Sequence, residues 1–359
     1  MGTVSPLGDH DGTTRRVNVD IAVIGAGPVG LFAAYYAGFR GRSVAVVDAL
    51  PVVGGQVSAM YPEKTILDVA GFPAVSGREL ISGLELQVAP FGPEYVLGER
   101  AQTLEQSAGG SGAPGTVRIG TDKGTSIVAA AVVIACGVGS FTPRPLPAGS
   151  GVGVEDIDHF VGDPERYRGR EAVVVGGGDS ALDWALTLEP VASSVTVVHR
   201  RSTFRAHEHS VRAARECGIP LLTDAQIVGA RYSSDSGIRS LQAVSIRHGS
   251  GEEVEIPCRR VVAALGFTAA LGPLLSWGLE IEHNRQIVVD SRMRTTVSGV
   301  FAAGDITSYS GKVPLIAVGF GEAATAVSNA CRLIDPDEPL YGGHSTDRSP
   351  VAAPQGVAG

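Results

Sequence analysis

The sequence predicts an α/β protein built from two Rossmann-like three-layer domains, one inserted in the other. Three observations predict it. An apolar strand running into a glycine-rich turn occurs twice, as "VIGAGPVG" (23–30) and "VVGGGDSA" (174–181). Each turn is followed by a second apolar strand, "SVAVVD" (43–48) and "SVTVVH" (194–199), and Gly25 to Asp48 and Gly176 to His199 are both 23 positions. Finally, "GVFAAGDI" (299–306) and a helix from about Pro314 look like the last strand and helix of the first unit, so the second unit interrupts it.

Taken in order, residues 1–16 are polar and patternless and read as a disordered tail. "IAVIGAG" is a strand entering a turn, "LFAAYYAGFR" is helical with Gly41 as its stop, and "SVAVVD" completes a βαβ unit. "AGGSGAPG" (108–115) reads as a hairpin or loop insertion. "EAVVVGGG", "SALDWALTLEP" and "SVTVVH" repeat the βαβ pattern, and "SIVAAAVVIACG", "CRRVVAALG" and "RQIVVD" are further strands. Apolar runs without alternation imply parallel strands covered on both faces. The expected division is 17–145 and 266–335 for the first domain, 146–265 for the inserted one, and 336–359 for an extension whose end, from about Asp347, is disordered. Connections near 143–147 and near Gly266 would permit one domain to rotate on the other.

The length of 359 residues also favours two domains over one. With 29 Lys and Arg against 37 Asp and Glu, the net charge of -8 argues against a nucleic-acid or anionic-membrane partner. No apolar run is long enough to span a membrane and the start lacks a signal-peptide pattern, so a cytoplasmic protein is expected. Cys136, Cys217, Cys258 and Cys331 form no CxxC pair and no disulfide framework.

The motifs carry the chemistry. In the first turn, Gly25 makes the bend, Gly27 lets the backbone approach a pyrophosphate and Gly30 lets the helix pack on the strand, with Pro28 and Val29 opening a helix whose N-terminus favours phosphate. Asp48, ending the next strand, is placed to accept hydrogen bonds from ribose hydroxyls. In the second turn the glycines are Gly176, Gly177 and Gly178, with Ala181 taking the third role and Asp179 and Ser180 opening the helix. Its strand ends in His199, Arg200 and Arg201, with Arg205 just beyond: bases that would bind a 2'-phosphate where an acid would repel it. The acid marks a free 2'-hydroxyl and the bases mark NADP(H). A flavin in the first site, as FAD, would take hydride from NADPH and release electrons singly. Asp305 in "FAAGD" is a candidate for the ribityl and pyrophosphate region of FAD. Pro314 suits a first helical position, and that N-terminus, with Lys312 close by, would stabilise negative charge on reduced flavin.

These motifs, with "GGQVSAMYPEKTILDVAGFP", "HRRSTFRAHEHS" and "GFGEAATAV", give a sequence that resembles the thioredoxin-reductase-like flavoproteins over residues 17–346. Within them it is most similar to the ferredoxin-NADP reductases that share that fold. The resemblance implies that Gly55 and Gln56 lie along FAD, that Tyr61 stacks on the isoalloxazine, that Phe141 sits near the flavin and that Ala101 sits near the adenine. Thioredoxin reductases carry a CxxC just before the second glycine turn. The equivalent stretch here, "VEDIDHFVGDPERYRGREA", has no cysteine, so electrons must leave the flavin directly. The extension "YGGHST" is implied to reach the FAD of the other subunit of a homodimer, with His344 stacked opposite the tyrosine and Ser345 and Thr346 near the flavin edge.

The implied activity is hydride transfer between NADPH and FAD and single-electron transfer between FAD and ferredoxin or flavodoxin, with Tyr61 and His344 as the flavin sandwich. Two other readings stand beside it: a disulfide reductase working through an external dithiol, and a flavin-bearing redox sensor. His207, Glu208 and His209 open a helix on which i,i+2 residues diverge, so no metal is expected. Trp184 and Trp277 read as packing residues, and Lys64 with Arg144 as a docking patch for an acidic carrier.

Overall fold

The computed structural model describes residues 15–107, 115–235, 238–344 and 346. The expected terminal tails and the glycine-rich loop lie almost wholly outside these residues, as do Ser345 and the side chain of Phe141.

The strand Arg16–Ile24 leads into helix α1 (Pro28–Phe39) and the strand Val44–Asp48. Proline at the first helical position loses no hydrogen bond there, because that N–H has no partner inside a helix. A short helix α2 (Gly55–Met60) follows, then α3 (Gly77–Val88), which starts on a capping box: Ser76 accepts from the Glu79 N–H and Glu79 from the Ser76 N–H. The first sheet runs in the order Glu94–Leu97, Val44–Asp48, Arg16–Ile24, Ser126–Ile134, Thr116–Thr121, Ala101–Ser107. The strand Ser126–Ile134 also carries Val300–Ala302, in parallel along Val132 to Ile134. A segment some 170 positions downstream thus completes the first sheet, and the second unit is a true interruption.

In that second unit the strands Ile157–Asp158, Arg260–Ala263, Glu171–Val175, Ser194–Val198 and Leu221–Leu222 are parallel neighbours in that order. Helices α4 (Asp179–Leu188) and α5 (Glu208–Glu216) cover one face, burying Leu182, Trp184, Leu188 and Val211. Three antiparallel strands, Ala225–Asp235, Ile238–His248 and Glu253–Pro257, cover the other with Ile227, Leu241, Val244 and Ile246. Each fully buried aliphatic side chain contributes about 1.5 to 3 kcal/mol, which is why both faces of these strands are apolar.

The two crossings between the units run side by side. Ser140–Pro143 pairs antiparallel with Phe267–Ala270, and Arg144 N–H donates to Gly266 O at 2.9 Å. After the second crossing, Leu271, Leu274 and Trp277 return to the core of the first unit. Helix α6 (Ile316–Ile334) then packs against α1. It begins two residues later than the sequence suggests: Leu315 is the N-cap, in extended backbone, so Pro314 ends the preceding loop and does not open the helix.

Candidate active site

Strand register puts both glycine turns under the tips of their second strands. In the first unit Ile24 lies opposite Val47, so Asp48 stands over the turn that begins at Gly25. Its carboxylate accepts from Ala26 N–H at 2.7 Å and Leu50 N–H at 2.8 Å. Gly25 has φ 109°, and a methyl there would stand 2.5 Å from the Ala135 carbonyl oxygen. A methyl on Gly30 would run into the carbonyl of Gly25, so α1 lies on the strand with no room for a side chain. Gly27 is the N-cap of α1 and offers no capping side chain, which leaves the helix's first N–H groups to whatever enters.

What they face is a cleft of about 310 Å³. Gly25, Gly27, Pro28, Val29, Asp48, Gly55, Gln56, Tyr61, Ala101 and Asp305 all line it. The cleft extends from Asp48, Glu99 and Ala101 at one end to Tyr61, Asp305 and Ile316. Burial raises the pKa of Asp48 above the usual carboxylate range, against its two backbone donors. Asp305 is also raised by burial, opposed by Lys312 and assisted by Glu322. The Tyr61 phenol is raised by burial first and then by Asp305 and Asp68, so it is protonated at neutral pH. A dinucleotide with a planar ring system fits this set: uncapped helix N–H groups for a diphosphate, a carboxylate at the ribose position and an aromatic at the far end.

The cleft also holds residues that the motifs did not indicate. Leu271, Pro273, Leu274 and Trp277 wall it from the segment after the second crossing, and Trp277 Nε1 donates to Gln102 O at 3.2 Å, beside Ala101. Cys136 lines it too, with a thiol that burial pushes up to about 12. All four cysteines are free, and no other cysteine lines this cleft.

In the second unit Val175 lies opposite Val198, which puts His199 where Asp48 stands in the first. The ring is buried, stacks on Phe204 and sits 3.1 Å from the Thr203 carbonyl through Nε2. A methyl on Gly177, the counterpart of Ala26, would collide with that ring. His199 thus forms the wall of the turn, facing inward. Arg200, Arg201 and Arg205 are exposed and have no ion pair among the described residues. Arg205 N–H donates to Gly177 O at 2.7 Å, and Asp179 accepts from the His207 N–H at 2.8 Å, so the basic loop is tied to the glycine turn. Gly178 caps α4 without a side chain, as Gly27 caps α1; Ser180 is exposed beside it and Ala181 is buried.

Other expected residues fall elsewhere. Lys64 is half exposed, and its ammonium lies 2.9 Å from Asp183 Oδ2 on α4, a charge contact between the two units without hydrogen-bond geometry. Lys312 does not face the cleft as an uncompensated charge, because it is buried in an ion pair with Glu322. His344 is exposed, 2.6 Å from the Tyr341 hydroxyl through Nδ1, and neither it nor Thr346 lines the cleft of its own chain. The segment before it is held by Arg40 at the far end of α1, through Glu338, Pro339 O and Leu340 O. That anchor lies about 18 Å along α1 from the glycine turn, at 1.5 Å per residue. No group of three or more metal-ligating side chains exists among the described residues.

The model for the family described as pyridine nucleotide-disulphide oxidoreductase matches residues 19–330. A Nocardioides sp. protein named ferredoxin--NADP reductase is 53% identical over 337 residues, 94% of this chain and 99% of its own. One of the same name from Salinispora arenicola is 54% identical over 331 residues, 92% of this chain and 99% of its own. Among solved structures, thioredoxin reductase of T. acidophilum superposes with a TM-score of 0.68 at 26% identity, covering 89% of this chain and 98% of that one.

Proposed function

The chain belongs to the pyridine nucleotide-disulphide oxidoreductase family, and from that premise we propose that it is an FAD-dependent ferredoxin-NADP reductase. One observation carries the reading. Two like units put Asp48 and His199 at the same register position over a glycine turn, Asp48 lining a cleft and His199 followed by the exposed Arg200, Arg201 and Arg205. The cleft suits the resident FAD and the exposed basic loop an exchanging NADP(H).

When bound, FAD exchanges hydride with the nicotinamide and single electrons with ferredoxin. The protein's part is to bind, orient and exclude water. The first N–H groups of α1 hold the diphosphate, Asp48 accepts from the adenosine ribose, and Trp277, Leu271 and Leu274 close the adenosine end. Asp305 and Gln56 hold the ribityl chain, and the protonated Tyr61 lies against the ring system. Arg200, Arg201 and Arg205 take the 2'-phosphate while Gly178 and the start of α4 take the second diphosphate. No side chain is required as an acid or base in hydride transfer, so rate depends on these positions.

A disulfide relay is disfavoured because Cys136 stands alone in the cleft with a thiol that stays protonated. We further read the chain as a cytoplasmic homodimer. Its free cysteines accord with a reducing compartment, and no helix among the described residues is long and apolar enough to cross a membrane. The extension anchored by Arg40 leads His344 away from its own cleft, as a segment reaching the flavin of a second copy would require. Steady-state assays with NADPH test the activity: ferredoxin reduction should exceed reduction of small disulfides, and the reverse order would overturn the reading in favour of a disulfide reductase.

A further inference from the structure

Behind the cleft wall formed by Gly304 and Asp305 lies a buried charged cluster centred on Glu322, a residue to which the motifs assign no role. Glu322 on α6 is 5% exposed, and its carboxylate accepts from Gly304 N–H at 2.7 Å, from the Tyr309 hydroxyl, from the Lys312 ammonium and, at 3.4 Å, from the Thr307 hydroxyl. Lys312 donates again, to Gly304 O at 3.0 Å. The backbone N–H and C=O of Gly304 are therefore both hydrogen-bonded to one ion pair. A buried ion pair is weak as a source of stability, because desolvation offsets most of the attraction, whereas removing one partner leaves a costly lone charge. An apolar contact between α6 and this loop would hold them together at least as well, so a charged pair at this place calls for another role.

We propose that Glu322 is a positioning residue of the flavin site, fixing the Gly304–Asp305 turn against the ligand and cancelling the positive charge of Lys312 behind it. The inference rests on FAD occupying the cleft. Gly304 and Asp305 line that cleft, and the loop from Thr307 to Lys312 joins them to α6 through Glu322 alone among its acidic groups. The Tyr309 phenol, pushed up to about 12 by burial and by Glu322, stays a donor at neutral pH and keeps the cluster closed. Together Glu322 and Lys312 present no net charge to the flavin. Removing the Glu322 carboxylate would leave the Lys312 ammonium without its buried partner behind the flavin site, which favours reduced, anionic flavin.

The test uses holoenzyme variants and two readouts other than turnover: the dissociation constant of FAD and the midpoint potential of the bound flavin by dye equilibration. Wild type is measured first, and failure to bind FAD there would refute the function above before this inference is reached. Glu322→Gln is expected to weaken FAD by about tenfold or more, equivalent to 1.4 kcal/mol, and to raise the midpoint potential. Lys312→Met is expected to lower the potential. A purely structural role would destabilise apoprotein and holoprotein alike, leaving the FAD dissociation constant within about twofold of wild type and the potential unshifted, and that result overturns the proposal. So would potential shifts of the same sign in both variants. If Glu322→Gln does not fold, the double variant E322M/K312M replaces the pair with apolar chains of similar length; loss of FAD affinity is expected there as well, and unchanged affinity would refute the positioning role.

Discussion

At the scale of single residues, the acid and the bases at equivalent strand ends make the sharpest predictions. Arg200 and Arg201 are exposed without ion pairs among the described residues, so their charge is available to a ligand. A charged hydrogen bond contributes about 1.5 to 3 kcal/mol, so Arg200→Ala or Arg201→Ala should weaken NADPH by about 10- to 100-fold and leave NADH nearly unchanged, as read by titration of each nucleotide. His199 answers a different question. Burial lowers its pKa from the ordinary value of 6.5, with the Thr203 carbonyl opposing and the neighbouring arginines assisting. The unfolded chain then binds the proton more readily than the folded one, so stability is full above pH 6.5 and declines as pH falls below it toward the folded value. Melting curves from pH 7.5 to 5.5 should show that decline, and it should diminish in His199→Phe. The position of His199 was legible in the sequence because strand and turn spacing repeat. Its inward facing was not, because the clash that requires Gly177 beneath it exists only once the turn has folded.

At the scale of elements, the glycine turn, the crossings and the contacts between units set what can move. Gly25 combines a left-handed φ of 109° with a wall 2.5 Å from where a side chain would begin. Gly25→Ala should therefore yield protein without bound FAD, visible as loss of the yellow absorption on purification, with the inserted unit still able to bind NADP(H). Lys64, three residues beyond Tyr61, meets Asp183 one turn into α4, so this contact joins the flavin end of the cleft to the nucleotide helix of the other unit. The pair is half exposed, and such pairs contribute below about 1 kcal/mol, so Lys64→Met or Asp183→Asn should change the pre-steady-state hydride-transfer rate by no more than about fivefold. The double variant should equal the single ones if the two residues act only on each other. The helices and strands of both units could be read from apolar runs and turns. The later start of α6 could not, because Leu315 and Pro314 belong to a loop whose course is set by Lys312 and Glu322. Nor could the wall made by Leu271, Leu274 and Trp277, which comes from packing across about 170 positions and leaves no periodic signal.

At the scale of the whole molecule, one nucleotide unit interrupts another. The sequence shows this because the last strand and helix of the first unit carry their own motif, "FAAGD", after the second unit ends. The paired crossings at Ser140–Pro143 and Phe267–Ala270 form a narrow two-strand join, the kind of connection about which domains rotate. Under the proposed function, hydride transfer requires the nicotinamide of one unit to meet the flavin ring in the cleft of the other, proposed to lie beside Tyr61, and one-electron transfer requires ferredoxin to approach that same ring edge. The most direct test follows both steps in one anaerobic stopped-flow experiment: the oxidised holoenzyme is mixed with NADPH or NADH, then with oxidised ferredoxin, while flavin absorbance is recorded. Rapid bleaching by NADPH and not by NADH, followed by rapid recovery with ferredoxin, is the predicted result. Equal bleaching by both nucleotides would contradict the role given to Arg200 and Arg201, and bleaching without recovery would contradict ferredoxin as the acceptor.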